Sequence, residues 1–552
     1  SVRDHNVMTI RIAMAQLDML VGDIKNNTES VIAQSLIARD QHNADVIVFP
    51  ELTLTGYPPE DLLLRPSLTP RIEAALTQIL EQVHDIFVVV GYPREIDGEL
   101  FNCAGVFHQG KILGEYCKQK LPNFLVFDDK RYFQAGHTPC IVEIKGAKVG
   151  LSICEDIWHP EPIAQAKDAG AEMILNLNAS PFHIEKMGVR ERLLHQRSTE
   201  NQLPIVYVNY MGAQDELVYE GGSFVVNAQG QKVRQAPWYE SGLYCVDFTI
   251  AEDRVPRVEV MAGEIAPTMD VEASVYQAMV TGLRDYIEKN RFKGIVLGLS
   301  GGIDSALSLA VAVDAIGADR VQAVMMPYTY TSSMSLEDAE EEAKLLGVEY
   351  SVLPIEPMVT AFMETLAPEF EGYGRDTTEE NLQARTRGVT LMAISNKKGY
   401  MVLTTGNKSE MAVGYATLYG DMVGGYSVLK DVFKTLVFRL CRYRNTLGYV
   451  IPERVITRPP SAELAPDQVD EDSLPSYDVL DQILHMYIEK DMSAEAILAL
   501  GTFDRETVYR VLRLVDLNEY KRRQSPTGVR ITERGFGRDR RYPITNGWHI
   551  GE

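Results

Sequence analysis

Cysteine is scarce in this 552-residue chain, and its spacing excludes two common uses of the residue. The six cysteines are scattered at positions 103, 117, 140, 154, 245 and 441. Because no C-x-x-C pair occurs, the sequence predicts neither a zinc site nor a disulfide framework. Scattered cysteines fit a reducing compartment, so we expect a cytoplasmic protein.

Long hydrophobic runs and net positive charge are also lacking. No run of about 18 uncharged apolar residues occurs, so we expect no membrane span. The polar residues Ser1–Asn6 lack the apolar core of a signal peptide. The formal net charge of −23 argues against a nucleic-acid or anionic-membrane partner. Nucleotide substrates stay open, because an acidic protein can carry a local basic pocket.

Residues 8–250 are predicted to form a first α/β domain. Short apolar runs alternate with helical patterns, and two β-hairpins are expected at 101–118 and 222–235. This mixture favours a layered domain with two sheets. Residues 251–273 contain charges, two prolines and no clear period, and are expected to form a linker.

Residues 274–552 are predicted to form a second α/β domain. From Gly294 onward, strand and helix patterns alternate, with strands expected at Ile295–Leu299, Val321–Met326, Tyr350–Pro354 and Met401–Thr405. That order predicts a doubly wound, Rossmann-like parallel sheet, which binds ligands at the carboxyl ends of its strands. The basic tail from Lys521 to Arg541 is interpreted as an anion-binding segment.

One strand of this second domain runs into a glycine-rich loop, Ser300-Gly301-Gly302-Ile303-Asp304-Ser305. Two glycines let backbone N–H groups converge, and the following helix N-terminus favours anions, so the loop suits a pyrophosphate. An acidic Asp304 there predicts a Mg²⁺ companion. The loop resembles the SGGxDS loop of the ATP pyrophosphatases, which split ATP into AMP and pyrophosphate. An ordinary strand-to-helix turn is the alternative.

Three segments of the first domain carry reactive side chains. Glu51 follows a buried strand, Lys118 ends a hairpin, and Cys154 ends another strand. Each alone has a plain structural explanation. Together they resemble the Glu–Lys–Cys triad of the nitrilase superfamily. The resemblance implies that Cys154 attacks an amide, Glu51 moves the proton, and Lys118 stabilises the oxyanion. It also selects Lys118 rather than Lys120.

The glutamine-using branch of that superfamily implies further residues. By position, its glutamine-binding side chains would be Phe124, Glu155, Ser180 and Lys186. Glu155 would pair with the substrate α-amino group, and Lys186 with its α-carboxylate. Phe124 is often tyrosine in that branch, so a hydroxyl contact is missing here. Asp129 occupies a position frequently held by Glu and would assist the triad as a second acid.

A nitrilase-like half joined to an SGGxDS half resembles the glutamine-dependent NAD synthetases. Further motifs support this, such as Asn381–Arg387, Thr404–Glu410 and Lys430–Thr435. The resemblance implies an α-β-β-α sandwich followed by a sheet of the adenine nucleotide α-hydrolase type, in a homo-oligomer. It assigns ATP to Gly298, Leu299, Ser300, Gly301, Gly302, Ile303, Asp304, Ser305 and Thr405. It assigns deamido-NAD to Asn381, Glu410 and Lys521, and Mg²⁺ to Asp304 and Glu410.

The implied reaction has two parts. Glutamine is hydrolysed to ammonia, and ammonia amidates deamido-NAD after ATP has adenylylated its carboxylate. Two alternatives stay open from the sequence. The first domain could be a structural or partner-binding module, with the chain using free ammonia. The chain could also be a ligase or amidase of another class that acts on a different carboxylate.

Overall fold

A computed structural model describes residues 7–470 and 474–551, which form two compact units. The first unit comprises the chain up to Gln214 together with Val218–Met269. The second comprises Asp215–Leu217 and the chain from Asp270 onward.

The first unit contains two large β-sheets, built from short apolar runs as predicted. One sheet has the order β15-β14-β1-β2-β3-β4-β5, the other β13-β12-β9-β8-β7-β6, and β10 pairs with β11. The strands are β1 (Val7–Gln16), β2 (Val46–Val48), β3 (Phe87–Ile96), β4 (Glu99–His108), β5 (Lys111–Cys117), β6 (Ile141–Ile144), β7 (Ala147–Ile153), β8 (Met173–Leu177), β9 (Ile205–Val208), β10 (Met211–Gln214), β11 (Leu217–Glu220), β12 (Phe224–Val226), β13 (Lys232–Gln235), β14 (Gly242–Ala251) and β15 (Val258–Val260).

Helices cover the outer faces of the two sheets. They are α1 (Ile24–Gln41), α2 (Leu68–Gln82), α3 (Pro160–Asp168) and α4 (Val189–Asn201). Helix α2 packs against β3, and α3 packs against β7. Between the sheets lies one apolar core, to which Ile12 and Val48 contribute from the first sheet and Ile153 and Val208 from the second. The expected α-β-β-α sandwich and both hairpins are confirmed.

The predicted linker is more ordered than the sequence suggested. Residues 258–260 form β15, which pairs antiparallel with β14 and extends the first sheet by one strand. Val258 is buried in the core between the sheets. A strand of three residues is too short to produce a recognisable period of two, which is why the pattern missed it.

The second unit contains a parallel sheet with the order β18-β17-β16-β19-β20. Its strands are β16 (Gly294–Gly298), β17 (Val321–Met325), β18 (Glu349–Val352), β19 (Tyr400–Thr404) and β20 (Tyr426–Ser427). The chain runs outward from β16 to β18 and then returns to place β19 on the other side of β16. This confirms the doubly wound prediction, and the loops after β16 and β19 diverge at the point of reversal.

Helices surround this sheet and extend beyond it toward the C-terminus. They are α5 (Val271–Lys289), α6 (Ile303–Ile316), α7 (Ser333–Leu346), α8 (Glu356–Leu366), α9 (Thr377–Lys398), α10 (Lys408–Val413), α11 (Lys434–Thr446), α12 (Glu453–Thr457), α13 (Tyr477–Leu484), α14 (Ala494–Leu498), α15 (Arg505–Leu517) and α16 (Glu519–Arg522). Helices α13, α14 and α15 share a second apolar core with α10. Within residues 7–470 and 474–551, no helix is long and apolar enough to span a membrane.

Part of the basic C-terminal tail is occupied within the fold, so fewer of its charges are available to an anion than the sequence suggested. Arg522 donates to Glu519 and to the carbonyl oxygens of Met411 and Ala412. Arg530 forms a buried ion pair with Asp539 at 2.6 Å. These guanidinium groups satisfy buried acceptors instead of presenting charge to a ligand.

Candidate active sites

Three predicted catalytic residues of the first unit follow the ends of strands. Glu51 lies just beyond β2, Lys118 directly follows β5, and Cys154 directly follows β7. All three side chains are buried. The fold therefore brings together residues that are separated by up to about a hundred positions in the chain.

Lys118 is the centre of the charge arrangement. Its Nζ donates to Glu51 Oε2 at 2.7 Å and to Asp129 Oδ2 at 2.8 Å. Burial opposes its charge, but Asp129 and Glu51 raise the pKa of Lys118 well above its usual value, so it stays an ammonium. Lys120, the alternative, instead lies 4.0 Å from the exposed Glu161. The choice of Lys118 accords with this geometry.

The two carboxylate oxygens of Glu51 differ in their hydrogen bonding. Oε2 accepts from Lys118 and also from Asn102 Nδ2, at 2.8 Å. Among the described residues, no donor reaches the buried Oε1. Burial raises the pKa of Glu51, and the charge of Lys118 partly offsets this. A carboxylate oriented in this way can take up a proton through Oε1.

Cys154 adopts a strained conformation at the strand end. Its φ is 41°, in the left-handed region, and it begins a short 3₁₀-helix, Cys154–Trp158. Burial raises the pKa of the thiol, the charge of Glu51 raises it further, and Lys118 lowers it. The thiol is therefore neutral near pH 7 and needs a base before it can attack.

A buried carboxylate, Asp156, joins the cysteine segment to the lysine segment. Its Oδ1 accepts from the backbone N–H groups of Gln119 at 3.1 Å and Lys120 at 2.9 Å. Its Oδ2 accepts from the Tyr116 hydroxyl at 2.5 Å and the Ile153 N–H at 3.1 Å. Sequence reasoning missed this role and that of Asn102, since neither follows from a local pattern.

The predicted glutamine-binding residues divide into two groups. Glu155 and Lys186 lie close enough that Lys186 lowers the pKa of Glu155, which burial raises. Lys186 Nζ lies 5.9 Å from the ring centre of Phe127, against which Phe124 packs edge to face. Phe124 itself is 52% exposed. These residues can offer charges of both signs beside an aromatic wall.

Ser180 is buried and is held in place by Arg190. Its hydroxyl accepts from Arg190 Nε at 3.1 Å, and its carbonyl accepts from Nη2 at 3.0 Å. Its backbone N–H donates to Asn209 Oδ1 at 3.0 Å. These contacts fix the loop after β8.

The second unit has a cavity of about 250 Å³ at the carboxyl ends of β16 and β19. Most of the predicted ATP-binding residues line it, namely Gly298, Leu299, Ser300, Gly302, Ile303, Asp304, Ser305 and Thr405. Gly301 instead faces Ser335. Its φ is +84°, and a Cβ added there would come within 2.5 Å of the Ser335 carbonyl oxygen. Only glycine fits that position.

Hydrogen bonds to its own serines stabilise the glycine-rich loop. The Ser300 N–H donates to Ser305 Oγ at 3.1 Å, and the Gly302 N–H donates to Ser300 Oγ at 3.2 Å. Helix α6 begins at Ile303, so its N-terminus faces the cavity. A helix N-terminus beside a glycine-rich loop is a favourable position for phosphate groups.

Two carboxylates and a lysine meet beside this loop. Asp304 Oδ2 accepts from Lys434 Nζ at 2.7 Å, and Asn407 Nδ2 donates to both Asp304 oxygens. Burial and the charge of Asp304 raise the pKa of Glu410 well above its usual value. One ammonium does not compensate two half-buried carboxylates, so the pair fits a bound cation.

Mg²⁺ typically uses one or two protein carboxylates and completes its shell with water and phosphate oxygens. Asp304 and Glu410 supply such a pair, and both line the cavity. In the part of the chain that the structure describes, no group of three or more His, Cys, Asp or Glu side chains is arranged for a metal. The donor set therefore fits a magnesium ion that arrives with a nucleotide.

The predicted deamido-NAD residues are only partly brought together. Glu410 lines the cavity, whereas Asn381 accepts from the Thr417 hydroxyl at 3.0 Å. Lys521 Nζ donates to the carbonyl oxygens of Gly414 and Ala416, both at 2.9 Å. Asn381 and Lys521 thus contact the segment 414–417, which borders the cavity, and do not line it themselves.

Sequence reasoning missed three charged residues in the cavity wall. Lys434 pairs with Asp304, Arg387 is half-buried, and Asp421 accepts from the Thr417 N–H at 2.7 Å. Partial burial lowers the pKa of Arg387 to about 10. Lys434 and Arg387 lie inside motifs of the family resemblance, which was the available signal.

Comparisons with known proteins agree in both halves of the chain. Residues 11–254 match the carbon-nitrogen hydrolase family, and residues 275–525 match the NAD synthase family. The glutamine-dependent NAD(+) synthetase of Acinetobacter baylyi is 52% identical over 98% of this chain and 99% of its own. That of Xanthomonas campestris is 48% identical over 98% of each chain.

A solved structure gives the same result. It is the glutamine-dependent NAD+ synthetase from Acinetobacter baumannii in complex with adenosine diphosphate, which is 49% identical. The match covers 99% of this chain and 100% of that one, with a TM-score of 0.79. With two matching domains and full-length relatives at this identity, the chain belongs to the glutamine-dependent NAD(+) synthetase family.

Proposed function

We propose that this chain makes NAD from deamido-NAD, ATP and glutamine, as a ligase that forms a carbon–nitrogen bond. The observation that carries the first half is the buried Lys118–Glu51 contact beside Cys154. The cavity beside the Ser300–Ser305 loop supports the second half. A chain that used only free ammonia would not need to retain a buried triad of this cost.

The glutaminase half uses the triad in two steps. Glu51 removes the thiol proton of Cys154 through its Oε1, and the sulfur attacks the amide carbon of glutamine. Lys118 stabilises the negative oxygen that forms. Glu51 then returns the proton to the departing ammonia. Water attacks the thioester in turn, which releases glutamate.

The charged α-ammonium and α-carboxylate groups of glutamine would be recognised by side chains of opposite charge. Glu155 would pair with the α-ammonium group of glutamine and Lys186 with its α-carboxylate, while Phe124 covers the alkyl chain. Ser180, which Arg190 fixes, is proposed to contact the substrate through its backbone. Asp129 keeps Lys118 in place as a second acid.

The synthetase half activates a carboxylate. The nicotinate carboxylate of deamido-NAD attacks the α-phosphate of ATP, which breaks the bond to pyrophosphate and forms an acyl-adenylate. Ammonia then displaces AMP and yields the amide. The loop from Gly298 to Ser305, with Thr405, binds ATP. Mg²⁺ held by Asp304 and Glu410 would neutralise phosphate charge. Asn381, Glu410 and Lys521 are assigned to deamido-NAD.

The test compares two nitrogen sources. A Cys154→Ser variant is expected to lose NAD formation with glutamine and to keep it with ammonium chloride, and a Cys245→Ser variant serves as the matched control. Unchanged glutamine use in Cys154→Ser would refute the triad. An Asp304→Ala variant is expected to lose synthesis with both sources, and ammonia-supported synthesis in that variant would contradict the role given to Asp304.

We also propose that copies of the chain associate. Helices α8 and α9 carry several exposed apolar side chains, Met358, Phe362, Val389 and Met392. An apolar strip of this kind is typical of a protein–protein contact. Sedimentation of the full chain measures the assembly directly.

A further inference from the structure

Two cysteines lie opposite each other on β4 and β5, beside the residues that hold Glu51. Cys103 is paired with Cys117 in the sheet register. Their Sγ atoms lie 3.5 Å apart, and both are free thiols. The next rung of the same ladder is Asn102 and Lys118, and both of these side chains donate to Glu51 Oε2.

The ladder geometry at this rung suits a disulfide. The Lys118 N–H donates to the Asn102 carbonyl at 2.8 Å, which makes that rung a hydrogen-bonded one. Hydrogen-bonded and non-hydrogen-bonded rungs alternate, so Cys103 and Cys117 occupy a non-hydrogen-bonded rung with Cα atoms about 4.5 Å apart. Disulfides span Cα separations of about 4.4–6.8 Å. The bond can therefore form with a strand shift of only about 1 Å.

The two thiols differ in access and acidity. Cys103 is fully buried, whereas Cys117 is partly exposed. The hydrogen bond between them lowers the pKa of Cys117 and raises that of Cys103. An oxidant therefore meets Cys117 first, with Cys103 already in position to resolve the product.

We propose that Cys103 and Cys117 form a thiol-oxidation site that a peroxide closes reversibly into a disulfide, and that closure suppresses the use of glutamine. The Cys117 thiolate attacks one peroxide oxygen, the O–O bond breaks, and water leaves after protonation. The resulting sulfenic acid is attacked by the Cys103 sulfur, the S–O bond breaks, and a second water carries away the hydroxyl and the thiol proton. Two thiols are oxidised by two electrons, and one peroxide is reduced to two waters.

Closure would disturb the neighbouring rung. Opposed Cβ atoms in such a rung are about 4.5–5.5 Å apart, whereas a disulfide brings them to about 3.8 Å. Drawing the strands together by roughly 1 Å shifts Lys118 and Asn102 relative to Glu51, and a misplacement of that size can cost a catalytic site about a hundredfold in rate. This effect on activity rests on the proposed glutaminase, whereas the bond itself does not.

Mass spectrometry tests the bond independently of activity. The full-length Cys154→Ala protein is treated with hydrogen peroxide, digested without reduction and searched for linked peptides. A peptide pair joined through Cys103 and Cys117 is expected. Cys140 lies near enough for its thiol to be affected by Cys117. A bond between Cys117 and Cys140, or no bond at all, would overturn the proposal.

Kinetics then test the consequence. In the unsubstituted protein, peroxide is expected to lower the glutamine-supported rate by about tenfold or more, with recovery in dithiothreitol and little change with ammonium chloride. Cys117→Ser is expected to be protected, and Cys140→Ser to respond like the unsubstituted protein. Equal loss in Cys117→Ser would mean that Cys154 itself is oxidised, and the switch would be rejected. Absence of any glutamine-supported rate before treatment would instead count against the glutaminase.

Discussion

Replacing Asp156 by Asn tests whether one carboxylate aligns the two segments that carry Cys154 and Lys118. Asp156 accepts four hydrogen bonds, two on each oxygen. An amide can keep its oxygen toward the N–H groups of Gln119 and Lys120. Its NH₂ group then faces the Tyr116 hydroxyl, which can turn to accept, and the Ile153 N–H, which cannot.

The free-energy cost of the Asp156→Asn substitution follows from these four hydrogen bonds. One buried N–H left unsatisfied costs about 1–3 kcal/mol, and the two remaining N–H bonds lose the strengthening that a charged acceptor gives. The total is roughly 2–4 kcal/mol. Ile153 directly precedes Cys154, so we expect much of this free-energy cost to be spent on misplacing the nucleophile. The expected result is a fall of about tenfold to several hundredfold in kcat/KM for glutamine.

The assay is steady-state NAD formation with glutamine and, in parallel, with ammonium chloride. The ammonia-supported rate is expected to stay unchanged, because it does not involve Cys154. Asp168→Asn, at the exposed end of α3, is the matched control. If Asp156→Asn kept the glutamine kinetics of the unsubstituted protein, the alignment reasoning would be refuted.

Three further perturbations have directions fixed by the structure. Gly301→Ala should abolish synthesis with either nitrogen source, since its Cβ would meet Ser335; normal ATP turnover would contradict this. Lys118→Met should lower stability by about 3–5 kcal/mol, as it leaves Glu51 and Asp129 buried without their cation. The loss should shrink at acid pH, where the raised pKa of Glu51 lets it protonate, and thermal unfolding against pH checks this. Apparent Mg²⁺ affinity should rise with pH, because the pKa of Glu410 is raised and cation binding displaces its proton. Titration calorimetry in two buffers would detect the released proton. An affinity that does not change with pH would count against Glu410 as a ligand.

The strands and the doubly wound order were predictable because buried strands in α/β domains are nearly continuous apolar runs. Carboxyl ends of strands gather functional residues, so Cys154 and the Ser300–Ser305 loop were identified by position as well as by resemblance. Edge strand 258–260 was not predictable, because three residues carry too little pattern and their pairing depends on a neighbour in the folded sheet.

Charged residues gave the least reliable signals. Lys434 pairs with Asp304 across 130 positions, a distance over which no local pattern extends. The arginines of the tail suggested a ligand, yet Arg530 pairs with the buried Asp539 and Arg522 pairs with Glu519 on its own helix. Composition shows that charge is present, whereas only the structure shows whether a partner has already neutralised it.

The N-terminal cap of α10 also positions the two proposed magnesium ligands, Asp304 and Glu410. Asn407 is the N-cap: its Oδ1 accepts from the Glu410 N–H at 2.9 Å, and its own N–H donates to Glu410 Oε1 at 3.2 Å. The same Asn407 side chain holds Asp304 through Nδ2. The rotamer freedom of both proposed magnesium ligands is therefore lost when the helix forms and not when the ion arrives. Preorganisation of this kind favours affinity, and it makes the start of a six-residue helix a determinant of how tightly the nucleotide is held.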